Sequence, residues 1–396
     1  MTEKDIEKLL SKVAVFGPHD RMNYGDFLFP LMLEYAFSKK VNQKIVFPKY
    51  SIVSSEFSDI GAFPSAKYIK LAKDIQQGKV STIIVAGGES LNVDWDTLYR
   101  YIHPFYNFLR LHGGRLGKFL LDFQLARKIL GGKTEYPFCI STSEFPNVKI
   151  LYNSVGGFKK FNASQVKNLE ASDYLAVRDF QTFKNTEVLS RESNLVPDSA
   201  VILSDVFPAD KITSSHKQKK PYVFFQVSIV YHQDKFEEIS KQLDDIAKFF
   251  ELEIVLCPIG TALRHEDDVA LKKLSRFVKS NFTLIDNPNL TDIAFLIANA
   301  EIYLGTSLHG VITAMNYGVP YIGLNTKQTK VASYLATWSI DQLQYICDLD
   351  DFYNSTVKVL TNPDLINIKR LILQRNDENK VKYYDSVDKM FNVICN

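Results

Sequence analysis

The run Ile302-Tyr303-Leu304-Gly305-Thr306-Ser307-Leu308-His309-Gly310, which continues through Gly318-Val319-Pro320 into Tyr321-Ile322-Gly323, admits few folds. A short apolar run stops at Gly-Thr-Ser, a helix-compatible run of small and apolar residues follows, and Gly-Val-Pro turns the chain into a second apolar run. This is a strand, loop, helix and strand. Such a βαβ unit aims the unpaired N–H groups of its helix start, and the positive end of the helix dipole, at the carboxyl end of the strand. Ligands bind there in open α/β sheets. Ser307 is a good N-cap type, His309 falls in the first turn, and Gly310 beside it lets another group approach closely. The constellation suits an anion seat with a proton-handling group. The same residues also suit a plain cap, a helix lying close to its sheet, and a surface imidazole.

The chain before this unit repeats the pattern. Residues 12–17 form a first buried strand, residues 18–25 a loop, and residues 26–40 a helix. Asp26 at a helix start would repel a bound anion, so capping the helix is its expected role, ahead of accepting bonds from the hydroxyls of a sugar acceptor. Residues 80–90 are a β-branched run ended by Gly87-Gly88, a central parallel strand with a ligand-facing turn. The glycines also suit close backbone passage. Glu89 places a carboxylate at that end, where it can orient or deprotonate a sugar hydroxyl.

Further strands are expected at 137–140, 149–157 and 173–178, with a helix over 180–189. Arg178 is then either a cation for an anionic ligand or half of a buried pair with Asp179 or Asp198. The polar stretch 209–220 divides the chain into an N-terminal α/β domain (1–208) and a C-terminal one (221–362), with a helical tail over 363–396. The second domain alternates strands near 222–227, 253–257 and 283–285 with helices near 234–250, 266–279 and 291–299. Arg264 and His265 lie in a carboxyl-end loop where they can face the cleft.

Taken in order, these elements resemble the polysaccharide pyruvyl transferase family. Thr306-Ser307-Leu308-His309-Gly310-Val311-Ile312 with Gly318-Val319-Pro320 is similar to its C-terminal signature; many members carry Ser-Arg-x-His, and here Leu308 departs from that pattern, so the cation partner of His309 is undefined. Asn23-Tyr24-Gly25-Asp26 resembles the family's Asn-x-Gly-Asp motif, Gly87-Gly88-Glu89-Ser90 its Gly-Gly-x-Ser element, and Val177-Arg178-Asp179 its Val-Arg-Asp element. Val196-Pro197-Asp198 is similar to the Asp element that follows. The resemblance spans roughly residues 12–340 through short motifs.

It implies a GT-B-like pair of Rossmann-type domains and transfer of a pyruvyl group from phosphoenolpyruvate to a sugar hydroxyl pair, forming a ketal and releasing phosphate. Phosphoenolpyruvate is then a co-substrate, with no cofactor and no metal, and the acceptor is a sugar or a lipid-linked oligosaccharide. His309 and Glu89 are the expected catalytic pair. Arg178, Ser307, Gly310 and Arg264 are expected to bind the donor, and Asn23, Gly25, Asp26, Gly87 and Gly88 the acceptor. The resemblance tips Arg178 towards the ligand. A GT-B glycosyltransferase using a nucleotide-sugar donor would share the fold, and a non-catalytic carbohydrate-binding protein would keep it without the proton donor.

Between Arg100 and Lys128, six cations face one acid, Asp122, interleaved with Tyr101, Phe105, Tyr106, Phe108, Phe119 and Phe123. Such segments lie on anionic membrane surfaces or cover acceptor grooves. A helical pair split at Gly113-Gly114, with its aromatics in the core and its cations solvated, is the commoner outcome. Over the whole chain 47 basic residues balance 45 acidic ones, so no global field draws it to nucleic acid. Cys139, Cys257, Cys347 and Cys395 form no CxxC pair, which argues against a zinc knuckle or a disulfide framework. No apolar run approaches ~18 residues, so a cytoplasmic protein, peripheral at most to the inner face of the membrane, is expected. Asp348-Leu349-Asp350 is a literal Asp-x-Asp, expected to cap a helix and not to hold a metal.

Overall fold

The computed structural model describes residues 2–231, 235–326, 329–344 and 346–396. Thirteen strands form two sheets among them, and every pairing is parallel. In the first sheet are β1 (Val13–Phe16), β2 (Lys49–Ser51), β3 (Ala66–Lys67), β4 (Thr82–Val85), β5 (Lys149–Val155), β6 (Tyr174–Val177) and β7 (Asn194–Leu195), in the order β3-β2-β1-β4-β5-β6-β7. In the second are β8 (Tyr222–Gln226), β9 (Glu253–Leu256), β10 (Phe282–Leu284), β11 (Ile302–Gly305), β12 (Tyr321–Leu324) and β13 (Ile346–Cys347), in the order β10-β9-β8-β11-β12-β13.

Both sheets reverse their winding beside their first strand. β1 carries β4 on one side and β2 on the other, with Val13 opposite Thr82 and Phe16 opposite Val85. β8 does the same with β11 and β9, with Ile302 opposite Val223 and Gly305 opposite Gln226. Each reversal opens a crevice at the carboxyl ends of the strands. The central strands are buried on both faces, so they show continuous apolar runs and not alternation.

One apolar cluster runs from a face of the first sheet (Val15, Ile84, Leu151) through the second sheet to the C-terminal helix (Ile372, Tyr383, Met390). The opposite face of the first sheet has its own cluster around Phe16, Trp95 and Tyr152. The Leu365–Cys395 helix joins the halves by polar contacts as well. Ser386 meets the Tyr174 hydroxyl at 2.8 Å, and Asn379 donates to the Trp338 carbonyl at 3.1 Å.

Three expectations change. Residues 137–140 form turns and no strand; there the Ile140 amide donates to the Tyr152 hydroxyl and not to a neighbouring strand. The segment 95–130 is four short helices, Trp95–Ile102, Pro104–His112, Gly114–Asp122 and Leu125–Leu130, with breaks at Pro104, at the Gly113-Gly114 pair and at Gln124, which stands on a left-handed backbone (φ 50°). Its aromatics are not all in the core, since Phe105, Phe108, Phe119 and Phe123 are exposed. The helix expected from 234 is described from Phe236 to Phe250, and residue 234 lies outside the described residues.

Candidate functional site

The two crevices face each other across one cavity of about 620 Å³. Its walls come from the loop after β1 and the helix start that follows it (Arg21, Asn23, Asp26), the loop after β4 (Gly88, Glu89), the end of β6 (Arg178) and, from the second half, Gln226, Arg264, Asp267, Ser307, His309 and Lys330. Loops from the two halves are stitched beside it. The Tyr24 amide donates to the Ile259 carbonyl at 3.0 Å, and the Thr261 amide to the Met22 carbonyl at 3.1 Å.

His309 sits in the first turn of the Leu308–Asn316 helix, which Ser307 caps by accepting from the Gly310 amide. Its ring packs on the opposite half of the molecule. An ideal Cβ at Gly25 would lie 1.8 Å from His309 Nδ1, so only glycine at that place lets the imidazole lie on the start of the Tyr24–Val41 helix. Phe29 of the same helix meets the ring edge-on at 5.7 Å. His309 Nε2 faces Asp198 Oδ2 at 3.5 Å, so the group it meets is a carboxylate and not the cation that a Ser-Arg-x-His pattern implies.

Asp198 links His309 to Arg178. Arg178 is 1% exposed, and its guanidinium meets Glu89 at 2.5 Å, Asp198 at 3.3 Å and Asp179 at 3.8 Å. Burial opposes its charge, but the three carboxylates outweigh burial and hold its pKa above the ordinary value. Burial likewise works against ionisation of Asp198, yet His309 and Arg178 keep that carboxyl below the usual range. Arg178 therefore lines the cavity while being surrounded by acids. Of the two roles open to it in the sequence, the structure shows the buried ion pair, with Asp198, Asp179 and Glu89 all taking part. Glu89 spends one oxygen on Arg178 and keeps Oε2 without a partner, and Gly156 makes room for the pair, since a Cβ there would lie 2.6 Å from Glu89 Oε1.

The helix start offers fewer free donors than the motif suggests. Gln226 Oε1 accepts from the Thr306 and Ser307 amides, each at 3.0 Å, which leaves the Leu308 and His309 amides without intrahelical partners. Positive charge comes from side chains that sequence reasoning passed over or only half saw. Lys330 lines the cavity with no ion pair within 4 Å among the described residues, and burial together with the Arg178 charge pushes its pKa below the ordinary value. Arg264 stands on a left-handed backbone (φ 67°) and lies over the Tyr101 ring at 5.3 Å. His265, stacked on the same ring, is pushed down to about 3 by burial and by neighbouring cations, so it is neutral.

Some expected site residues serve packing. Gly310 does not line the cavity, because the space its side chain would take is filled by the Tyr303 hydroxyl, 2.1 Å from an ideal Cβ. Gly87 gives way in the same sense to Pro18, and Gly25 to His309. Gly88 does line it, against Arg178. Asp26 is not the cap. The helix begins at Tyr24, so Asn23 caps it by accepting from the Gly25 amide, and Asp26 is carried into the first turn facing the cavity. Burial pushes the Asp26 carboxyl up to about 6. Asp267, also in the wall, is pushed up to about 7 by burial although the Ile259 and Gly260 amides donate to it. Outside the cleft, Asp350 pairs with Lys235 at 2.8 Å and Asp348 accepts from Thr326.

The family model for polysaccharide pyruvyl transferase matches residues 128–328, just over half of the chain and including the Val177-Arg178-Asp179, Asp198 and His309 elements. The chain belongs to the polysaccharide pyruvyl transferase family. Its family sets it among transferases of polysaccharide synthesis. No curated protein matches the sequence. Among solved structures it is similar to the UDP-GlcNAc 2-epimerase of Methanocaldococcus jannaschii in complex with UDP-GlcNAc and UDP (TM-score 0.52, 13% identity, 91% of this chain and 98% of that one). It is also similar to the UDP-GlcNAc 2-epimerase of Neisseria meningitidis bound to UDP-GlcNAc (TM-score 0.52, 10% identity, 92% and 99%) and to a putative UDP-N-acetylglucosamine 2-epimerase of Listeria monocytogenes (TM-score 0.55, 8% identity, 96% and 95%). At such identities the likeness speaks for the fold alone: this pyruvyl transferase family member has two Rossmann-like domains facing each other in the GT-B manner. No helix among its described residues is long and apolar enough to cross a membrane.

Proposed function

We propose that this family member transfers the pyruvyl group of phosphoenolpyruvate to two hydroxyls of one sugar, in a polysaccharide or its lipid-linked precursor, with His309 as general acid. The observation that carries the reading is the His309–Asp198–Arg178–Glu89 chain in the wall of the cavity. The reaction needs a proton donor, a phosphate seat and a base on the sugar side. His309 supplies the first, with the Asp198 carboxylate 3.5 Å from its Nε2. The Leu308 and His309 amides, with Ser307, Lys330 and Arg264, supply the second. Glu89, held by Arg178 with Oε2 free, supplies the third, and Asn23, Asp26 and Gly88 border the space left for the acceptor.

The steps balance without a cofactor. His309 gives its proton to the terminal methylene of phosphoenolpyruvate, the double bond's electrons form the new C–H bond, and the adjacent carbon becomes oxocarbenium-like. The first sugar hydroxyl attacks that carbon and loses its proton to Glu89. Phosphate leaves with the C–O bonding electrons and takes up the proton held on Glu89, the second hydroxyl closes the ring, and its proton passes to the neutral His309, which restores the acid. Charge appears and vanishes next to fixed groups, which is where preorganised electrostatics lowers a barrier.

The test is release of inorganic phosphate by purified protein given phosphoenolpyruvate and candidate lipid-linked sugars, run beside nucleotide-sugar donors. Acceptor-dependent release from phosphoenolpyruvate supports the reading. Release of a nucleoside diphosphate instead makes the chain a GT-B glycosyltransferase, and turnover of neither makes it a carbohydrate-binding protein.

A further inference from the structure

The apolar surface of this protein is unevenly spread. Of the 21 exposed large hydrophobic side chains among the described residues, eight lie between Phe105 and Ile129, a stretch of 25 residues. Phe105 is 65% exposed and Phe108 58%, one turn apart on the Pro104–His112 helix. On the Gly114–Asp122 helix Leu116 and Phe119 repeat that spacing, and Phe123 follows one turn on, its ring stacked on that of Phe119 at 5.6 Å. A helix ordinarily turns such a stripe inward. Here a stripe faces out although the inward side already buries Tyr106, Leu120 and Leu130 in the core, where polar anchors add to the packing: the Tyr106 hydroxyl and Arg110 both bond Asp96, and Arg110 also donates to the Gly117 carbonyl.

The same surface is basic. Arg115 and Lys118 stand exposed between the apolar side chains with no ion pair among the described residues, and Lys128 lies over the Phe123 ring. Only Asp122 opposes them within the segment. A second copy of this chain would meet the face with itself in a symmetric dimer, setting like charges together. An anionic bilayer takes up both features at once, the rings among its headgroups and acyl boundary, the cations at its phosphates.

We infer that the 104–129 face is a docking surface for an anionic lipid bilayer. Its position gives the contact a use. The face is fixed to the cavity wall, for the Trp95–Ile102 helix contributes Arg100 and Tyr101 to the lining, and Arg100 donates to Asn107 in the next helix at 3.2 Å. A bilayer seated on Phe108 and Phe119 therefore lies beside the cleft, where an acceptor carried on a membrane lipid can enter without leaving the surface. This use rests on the pyruvyl transfer proposed above; the docking itself does not.

Flotation of the full chain with vesicles tests it, comparing phosphatidylcholine alone with phosphatidylcholine mixed with phosphatidylglycerol. Wild-type protein should rise with the mixed vesicles and stay behind with the neutral ones. Phe108→Ser with Phe119→Ser, and separately Arg115→Glu with Lys118→Glu, should each lower binding about tenfold or more, with unchanged melting temperature and unchanged transfer to a short soluble acceptor. Wild-type protein that ignores the mixed vesicles, or variants that bind them as wild type does, would overturn the inference. So would a dimer without vesicle affinity that the phenylalanine variant converts to monomer. Vesicle binding in a protein that transfers no pyruvyl group would sink the proposed function and leave the docking surface standing.

Discussion

Gly25 and His309 lie 284 positions apart in the sequence and occupy one space: the imidazole fills the volume where a side chain at position 25 would be, 1.8 Å from its Cβ. The N-terminal Asn-x-Gly-Asp motif and the C-terminal histidine motif are thus two halves of one seat. Gly25→Ala should displace the ring. Overpacking of this kind costs about 1–3 kcal/mol of stability, and a ring moved by an ångström should lose on the order of 100-fold in turnover. Thermal melting and steady-state kinetics of the variant check both, and near wild-type turnover would mean that the ring's position does not matter to the chemistry.

Arg178 and Lys330 should divide the work expected of one cation, since Arg178 is held by three carboxylates and Lys330 has no ion pair among the described residues. Arg178→Ala leaves Asp198, Asp179 and Glu89 facing each other in a buried cluster, so it should cost about 3–5 kcal/mol and raise aggregation before any kinetic effect can be read. Lys330→Met removes a charge with no ion pair among the described residues, so folding should hold while the apparent KM for the anionic donor rises about tenfold or more. Denaturant melts set beside donor titrations separate the two. A stable Arg178→Ala with a raised KM, and a silent Lys330→Met, would reverse the assignment.

Asp26 makes stability depend on pH. Its carboxyl is pushed up to about 6 from an ordinary 3.8, so between those values the folded chain binds a proton that the unfolded chain has lost. Stability from this group is therefore full below about pH 4 and lost as pH rises through about 6; the whole effect is about 3 kcal/mol at most. Asp26→Asn should raise the melting temperature at pH 8 and leave it unchanged at pH 4. An equal change at both would show that the side chain acts through packing.

How far the sequence could be read follows from what each signal depends on. Buried central strands and the glycine-terminated loops after them depend on local composition, so β1, β4, β8, β9 and β11 stand where the apolar runs place them. The edge strands β3, β7 and β13 are two residues long and carry no periodic signal at all. Within the site, the motif residues were visible as motifs, but their division of labour was not. Whether Gly310 makes room for a ligand or for Tyr303, whether Asn23 or Asp26 caps a helix, and whether Gln226 fills an anion seat are questions of distance between segments far apart in the chain. Lys330 was missed because an isolated lysine early in a helix has no pattern. The outward face of residues 104–129 was visible as composition, while its direction depended on which side Asp96 anchors.

His309→Gln separates chemistry from binding. A neutral amide still hydrogen-bonds the donor but delivers no proton at neutral pH, so donor affinity should stay within about tenfold while turnover falls by roughly 100- to 10,000-fold. Calorimetric titration paired with phosphate release reads both; turnover near the wild-type rate would remove His309 from the reaction.

The most direct measurement is mass spectrometry of the product formed from phosphoenolpyruvate in D2O. If a protonated donor carbon is the first step, the acceptor gains one pyruvate ketal whose methyl group holds a single non-exchangeable deuterium, and the His309→Gln variant forms that product at least about 100-fold more slowly. An acceptor modified without deuterium in that methyl, or modified only when a nucleotide sugar replaces phosphoenolpyruvate, would contradict pyruvyl transfer by this chain.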